Sequence, residues 1–241
     1  MPRYFIEVSY KGTKYAGFQK QHNANSVQAE VEKALEIFYR QKFELTGSSR
    51  TDAGVHALQN FFHFDSDSPI EDGSYNLNAI LPEDIVAKRI FIVDEDAHCR
   101  FDAISREYHY YIYQKKDPFL QDRACYVPYP VDMVLLQQAA GEIMNHKNFT
   151  SFSKRNTQVK TFECDIYKSN WEQEADCLIY KVKANRFLRG MVKGLVGTML
   201  LIGKKKIDLN DFKTIIEAKD CSKADFSVPP TGLFLHEVAF S

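Results

Sequence analysis

The chain has 241 residues, 44% of them hydrophobic and 26% charged, and a formal net charge of −1. That length holds one large domain or two small ones with an ample buried core. No apolar run approaches the ~20 residues needed to cross a bilayer, and Met1-Pro2-Arg3-Tyr4-Phe5-Ile6-Glu7-Val8 reads as a strand, not a signal peptide. The five cysteines (99, 125, 164, 177 and 221) are dispersed with no CxxC pair. This predicts free thiols in a reducing, cytoplasmic setting and no metal site. A near-neutral chain is not a bulk-electrostatic nucleic-acid binder. Any RNA face has to be a local stripe of Lys and Arg kept apart from acidic residues such as those at 83–84 and 94–96.

The elements follow in chain order. Arg3 to Tyr10 alternates as a strand. Asn25 is predicted to cap a helix, with Gln28 three residues later in capping-box register. That helix carries Val27, Val31, Ala34, Leu35 and Phe38 on one face. Strands are predicted at 42–47 and 57–65, a short helix at 74–80 and a strand over Ile85–Val93. This order of strand, helix, strand, strand, helix, strand is that of a ferredoxin-like half. A Tyr-rich strand from Arg106 to Lys115 opens the second half. Val131-Asp132 starts a helix with apolar Val134, Leu135, Ala139 and Ile143. Strands at 161–170 and 177–185, helices at 186–202 and 208–218 (capped by Asp208) and a terminal strand at 233–240 complete it. The reading is an α+β chain of two halves, 1–104 and 105–241, tightly joined because no Gly/Ser linker separates them. Two such halves give one mostly antiparallel sheet with helices on its outer face.

Between the strands at 42–47 and 57–65 lies the polar run Gly47-Ser48-Ser49-Arg50-Thr51-Asp52-Ala53-Gly54-Val55-His56-Ala57. Polar loops on scaffold edges are where catalytic groups concentrate. A guanidinium beside Asp52 favours its ionised form, and a fixed carboxylate is a candidate nucleophile or general base. The residue types alone also fit an ordinary turn with a surface ion pair.

This loop resembles the active-site loop of TruA-type tRNA pseudouridine synthases, G-x-x-R-T-D-x-G-V-H-A. Other segments resemble the same family in the same order. Tyr10-Lys11-Gly12-Thr13-Lys14-Tyr15-Ala16-Gly17-Phe18-Gln19-Lys20-Gln21 is similar to Y-D-G-T-x-Y-x-G-[WF]-Q-x-Q, with Lys11 in place of Asp. Ala97 to Ala103 and Arg106 to Tyr113 are similar to H-A-R-F-x-A and R-x-Y-x-Y-x-I. Asn148-Phe149-Thr150-Ser151-Phe152, Phe187 to Gly197 and Pro229 to Leu235 match three further segments.

The resemblance implies the pseudouridine synthase fold with a central cleft between the halves. It implies isomerisation of uridine to pseudouridine at positions 38, 39 and 40 of the tRNA anticodon stem-loop, without cofactor, by a homodimer. It makes Asp52 the catalytic residue, acting at C6, at C1′ or as a base. Arg50 either pairs with Asp52 or fills the gap left by a flipped base and holds a phosphate. Tyr108 is the residue that stacks on the uracil, and Leu233 the apolar wall beneath it. Lys193 stands where the family has Arg to pair with the aspartate; Lys keeps the charge but loses the bidentate fork. Arg189, one helical turn earlier, shares or replaces that role. Arg100-Phe101 supports the loop from behind, and His56 packs it. Lys11, Lys14, Lys20 and Gln21 are RNA-contact candidates in the N-terminal loop, whereas Lys204-Lys205-Lys206 fits a helix C-terminal charge cluster equally well. Two other readings are a non-catalytic tRNA-binding protein of the same fold, disfavoured by the intact Asp52, and an α+β hydrolase using Asp52 and His56, for which no second carboxylate, metal ligand or nucleophilic Ser stands nearby.

Overall fold

A computed structural model of the chain describes residues 1–155 and 159–240. In chain order the elements are β1 (Arg3–Tyr10), α1 (Val27–Tyr39), β2 (Thr46–Gly47), β3 (His56–Asp65), α2 (Ser74–Ile80), β4 (Ile85–Val93) and β5 (Ala103–Tyr113). They continue with β6 (Cys125–Tyr126), α3 (Met133–Ile143), β7 (Ile166–Glu174), β8 (Cys177–Ala184), α4 (Met191–Gly203), α5 (Leu209–Glu217) and β9 (Leu233–Phe240). The chain is mixed α/β with mostly antiparallel pairing. It forms two compact units, Met1–Ile104 with the tail from Phe234, and Ser105–Leu233.

In the first unit β1 is central. It pairs antiparallel with β3 and with β4, so Ile6 lies opposite both Phe62 and Ile90. Residues that alternate along a strand share a face, and here Tyr4, Ile6, Val8 and Tyr10 are all buried. β9 runs parallel to β3, with His56 opposite Phe234. Helix α1 buries Val27, Val31, Ala34 and Leu35, while Phe38 is half-buried. Its cap is Ser26, whose side chain accepts from Ala29 N at 3.3 Å, not Asn25 as the sequence predicts. Gln28 instead donates to Glu32 one turn on in the same helix and, beyond the helix, to the Leu45 carbonyl. That tie replaces ladder pairing in the segment before the polar loop. The predicted strand at 42–47 is therefore reduced to Thr46–Gly47, with Phe43 and Leu45 buried as irregular backbone.

In the second unit β8 is flanked antiparallel by β5 and β7, which aligns Tyr110, Tyr180 and Trp171 across three strands. Helix α4 is buried almost throughout and packs on α3 and α5. It begins five residues later than predicted for 186, because Gly190 sits at φ +76° and breaks the helical path there. Arg189 therefore precedes the helix, and the one-turn relation to Lys193 expected from sequence does not exist. The strand predicted at 161–170 begins at Ile166. In α3 the buried face is Leu136, Ala139, Ala140 and Ile143, and Val134 is exposed. At α5 the cap is as expected: Asp208 accepts from Asp211 N at 2.8 Å and Asp211 answers in capping-box fashion. All five cysteines are free thiols. Among the described residues no helix is long and apolar enough to cross a membrane.

One buried histidine makes the first unit sensitive to pH. His63 on β3 lies against Cys99, whose backbone N–H donates to His63 Nδ1 at 3.3 Å, and Cys99 Sγ lies 3.2 Å from the same nitrogen. Burial, reinforced by the neighbouring His98 and Arg3, lowers the pKa of His63 from 6.5 to about 4. Above pH 6.5 the ring is neutral in both folded and unfolded chains. As pH falls from 6.5 towards 4, the unfolded chain takes up a proton that the folded ring refuses, so stability is lost by up to ~1.4 kcal/mol per pH unit. In urea melts between pH 4.5 and 7.5, His63→Gln is expected to be less stable at pH 7.5 but to have a shallower loss towards acid than the wild type. Parallel pH dependences would contradict this assignment.

Candidate active site

The polar loop between β2 and β3 is fixed by a second loop, the one that follows β1. Phe18 N donates to Thr51 O at 3.1 Å, Gly54 N to Tyr15 O at 3.4 Å, and Gly12 N to His56 Nδ1 at 3.1 Å. Within the polar loop Val55 N donates to Asp52 O at 3.2 Å, closing a tight turn around Asp52. The approach of the two backbones is extreme at Gly12, where a Cβ would lie 2.0 Å from the Val55 carbonyl oxygen. The N-terminal loop is itself anchored, since Lys11 N donates to Asp84 O and the Tyr15 hydroxyl donates to the Asp84 carboxylate. That contact, together with burial, raises the Tyr15 pKa far above its usual range.

Within this frame Asp52 is half-buried and Arg50 is exposed. The Arg50 side chain has no ion pair or hydrogen bond among the described residues. The Arg50–Asp52 pair that the sequence offers as one alternative is therefore not formed among the described residues. His56 is buried with its ring stacked on Phe234, centroids 4.5 Å apart, which makes it a packing residue of the loop. Because its Nδ1 accepts from Gly12, the ring proton is assigned to Nε2.

Phe101 does not pack behind the loop as expected. Phe101 is 74% exposed, with Arg100 over its ring at 5.7 Å. The supporting residue is their neighbour Cys99, fully buried, with Sγ 3.2 Å from the Thr46 carbonyl oxygen at the root of the loop.

The lysines of the N-terminal loop differ in their surroundings. Lys14 is within 3.5 Å of both Glu83 and Asp84, and Lys20 donates to Glu32 at 2.7 Å, which raises its pKa. Gln21 Nε2 donates to the Ala16 carbonyl. Lys11 is exposed.

The remaining predicted residues belong to the second unit or its boundary. Tyr108 on β5 is half-exposed and meets Phe187 edge to face at 5.0 Å. Arg189 is exposed, and its carbonyl accepts from Lys154 N. Lys193 is half-exposed on the otherwise buried first turn of α4. Leu233 is buried at the start of β9, directly after a 3-10 turn at Pro230–Gly232. In the lysine triplet, Lys204 lies over the Tyr129 ring at 5.0 Å and Lys205 is 3.4 Å from Asp132, the cap of α3. Those two lysines serve the local packing of helix ends. No group of three His, Cys, Asp or Glu side chains among the described residues is arranged to hold a metal ion.

Sequence reasoning missed two residues beneath the loop, Tyr10 and Asn60. The Tyr10 hydroxyl is 2.8 Å from Thr51 Oγ1, and Asn60 Nδ2 donates to Ser49 O at 2.8 Å and to the Tyr10 hydroxyl at 3.1 Å. The available signal was Asn60 itself, a polar residue at an inward position of a strand rich in phenylalanine.

Asp52 is thus a half-buried carboxylate in a clamped loop, with an exposed arginine two residues before it. Comparison with known proteins makes the class specific. The model of the tRNA pseudouridine synthase family matches residues 6–102 and 139–241. The chain is 42% identical to tRNA pseudouridine synthase A of Parabacteroides distasonis, over 100% of this chain and 96% of that protein. It is 42% identical to the protein of the same name from Porphyromonas gingivalis, over 100% and 98%. With that from Staphylococcus aureus (strain MRSA252) it shares 34% over 98% and 91%. The chain belongs to the tRNA pseudouridine synthase family, isomerases that act on uridine in tRNA. Tyr108 falls in the stretch between the two matched segments, but the full-length alignments cover it.

The clamp predicts a contrast between two glycines. Gly12→Ala forces a methyl group into the Val55 carbonyl and is expected to cost about 1–3 kcal/mol, as overpacking does. Gly141→Ala in α3, where a Cβ meets nothing within 4 Å, is expected to stabilise by about 0.5–1 kcal/mol. Urea melts of the two variants check both signs.

Proposed function

We propose that this protein isomerises uridine to pseudouridine in the anticodon stem-loop of tRNA, at positions 38, 39 and 40, with Asp52 as nucleophile or base and no cofactor. The observation that carries the reading is the fixed Arg50-Thr51-Asp52 turn in a chain of this family. The reaction is redox-neutral. The uracil leaves C1′, turns over and rejoins through C5, and the C5 proton is lost as N1 gains one. What the protein must supply is a positioned carboxylate, a surface for the base and exclusion of water, all of which side chains provide.

In this reading Arg50, exposed and unpaired, occupies the gap left by the flipped uridine and holds a phosphate. Fixed beside Asp52 without neutralising it, Arg50 is suited to that role, and extrusion costs a few kcal/mol that such a contact offsets. Tyr108 stacks on the uracil, Leu233 walls it, and Lys193 and Arg189 balance the aspartate and backbone charges. Lys11, Lys14, Lys20 and Gln21 contact the RNA backbone. Residues 1–104 and 105–241 act as two ferredoxin-like halves, the first carrying the catalytic loop and the second the other substrate-binding side chains. The working form is a cytoplasmic homodimer, which adds two modest basic surfaces for one polyanionic substrate.

Tritium release from tRNA labelled at uridine C5 tests the central assignment, because that hydrogen leaves only after the base has rejoined through C5. Asp52→Asn is expected to lose on the order of a thousandfold in release while retaining tRNA binding. Release by the variant at the wild-type rate would remove Asp52 from the mechanism. No release by the wild type with tRNA still bound would favour a binding protein of the same fold.

A further inference from the structure

We propose that Tyr10 and Asn60 are positioning residues for the reaction: a buried hydrogen-bonded floor that sets the direction of Arg50 and Asp52. The proposal rests on the assignment of Asp52 made above. Asn60 is fully buried on β3, and every polar atom of its side chain is engaged. Its Nδ2 donates to Ser49 O at 2.8 Å and to the Tyr10 hydroxyl at 3.1 Å, and its Oδ1 accepts from Phe61 N at 2.9 Å. This pattern fixes the amide orientation, because a flipped amide would set NH2 against N–H and oxygen against oxygen. The Tyr10 oxygen accepts from Asn60 and is also hydrogen-bonded to Thr51 Oγ1 at 2.8 Å. The floor thus grips the residues on both sides of Arg50, and Thr51 is also the residue before Asp52. From the opposite side Phe18 N holds the Thr51 carbonyl at 3.1 Å. One residue is therefore fixed through its side chain and its backbone at once.

The surroundings argue that this network is there for geometry. Tyr10 stacks on Phe18 at 5.7 Å, and Phe18 lies flat on Phe62 at 4.3 Å, so the hydroxyl, the amide and the threonine stand in an aromatic core. Polar groups buried in such a core are costly unless each is satisfied, and apolar residues of the same shape serve stability as well or better. Satisfied, they specify one arrangement of the loop. A displacement of about 1 Å at a reacting group costs about a hundredfold in rate, which is the scale on which such a floor acts.

Tyr10→Phe removes only the hydroxyl and keeps the ring stack; Thr51→Val removes the partner from the other end. Both variants, the double variant and the wild type are compared in three measurements. These are single-turnover C5 tritium release, the tRNA dissociation constant, and hydrogen–deuterium exchange of peptides covering residues 48–55. The expected result for each single variant is at least about a tenfold slower turnover, tRNA affinity within twofold of wild type, and faster exchange confined to the loop. The double variant is expected to lose no more than the worse single variant, because both break one interaction. Wild-type turnover with wild-type exchange overturns the proposal, as does a loss of affinity that accounts for the whole loss of rate. Faster loop exchange with wild-type turnover also overturns it, whereas Asp52→Asn releasing tritium at the wild-type rate is the separate result that removes Asp52, so the two failures are distinguishable.

Discussion

The first unit depends on one close approach. At Gly12 the backbone after β1 runs against the Val55 carbonyl so tightly that no side chain fits between them. The backbone clamp on the polar loop lies beside that contact. It brings Gly12 N to His56, Tyr15 O to Gly54 N and Phe18 N to Thr51 O, three hydrogen bonds between segments about forty residues apart. Apart from a 3-10 turn at Gly12–Lys14, neither loop has regular structure of its own. Each supplies the partners that a strand neighbour would supply elsewhere, which satisfies the rule that buried backbone groups be paired. A loop built this way is held in place without being part of a sheet.

Charge is arranged by the same economy of position. A net charge of −1 is a poor match to an RNA-binding chain if charge is counted in bulk. Under the proposed function the mismatch is resolved locally. Lys14 and Lys20 are held by Glu83, Asp84 and Glu32 at the surface, where ion pairs contribute about 0–1 kcal/mol and exchange readily for a phosphate. Arg50, by contrast, has no described protein partner to give up. The acidic residues that lower the net charge therefore hold lysines in place at small cost to binding, and the arginine beside the aspartate is kept out of that neutralisation.

Much of this was legible in the sequence because it is periodic or punctuated. β1, β3, β4, β8 and β9 show as alternating runs, and α5 shows as a cap followed by an amphipathic turn. The polar loop and its aspartate stand out as a dense polar run between apolar ones. The failures have specific causes. Residues 42–45 are apolar enough for a strand, but the Leu45 carbonyl is taken by the Gln28 side chain, a tertiary contact that no local pattern reports. Gly190 reads as an ordinary helix glycine beside Met191-Val192, yet its positive φ ends the path and moves Arg189 off the helix. Arg100 and Phe101 look like a supporting pair by composition, but burial falls on Cys99 between them and His98. Arg50 and Asp52 look like an ion pair by proximity in sequence, whereas Arg50 makes no ion pair among the described residues.

What sequence could not supply is the part that lies beneath the loop. Tyr10 stands at the end of a strand and Asn60 inside another, fifty residues apart, and their contact exists only once β1 and β3 are paired in register. The register slips between Val8 and Tyr10, where Tyr10 comes opposite Ala57 instead of keeping step. That irregularity brings the Tyr10 hydroxyl within reach of Asn60 and Thr51. A regular ladder would carry the ring one position along the sheet. Bulges of this kind re-aim side chains next to active sites. Under the proposed function, chemistry that uses no cofactor leaves the placement of one carboxylate to the scaffold. Here it comes from a strand irregularity, a buried amide and a glycine that leaves no room for movement.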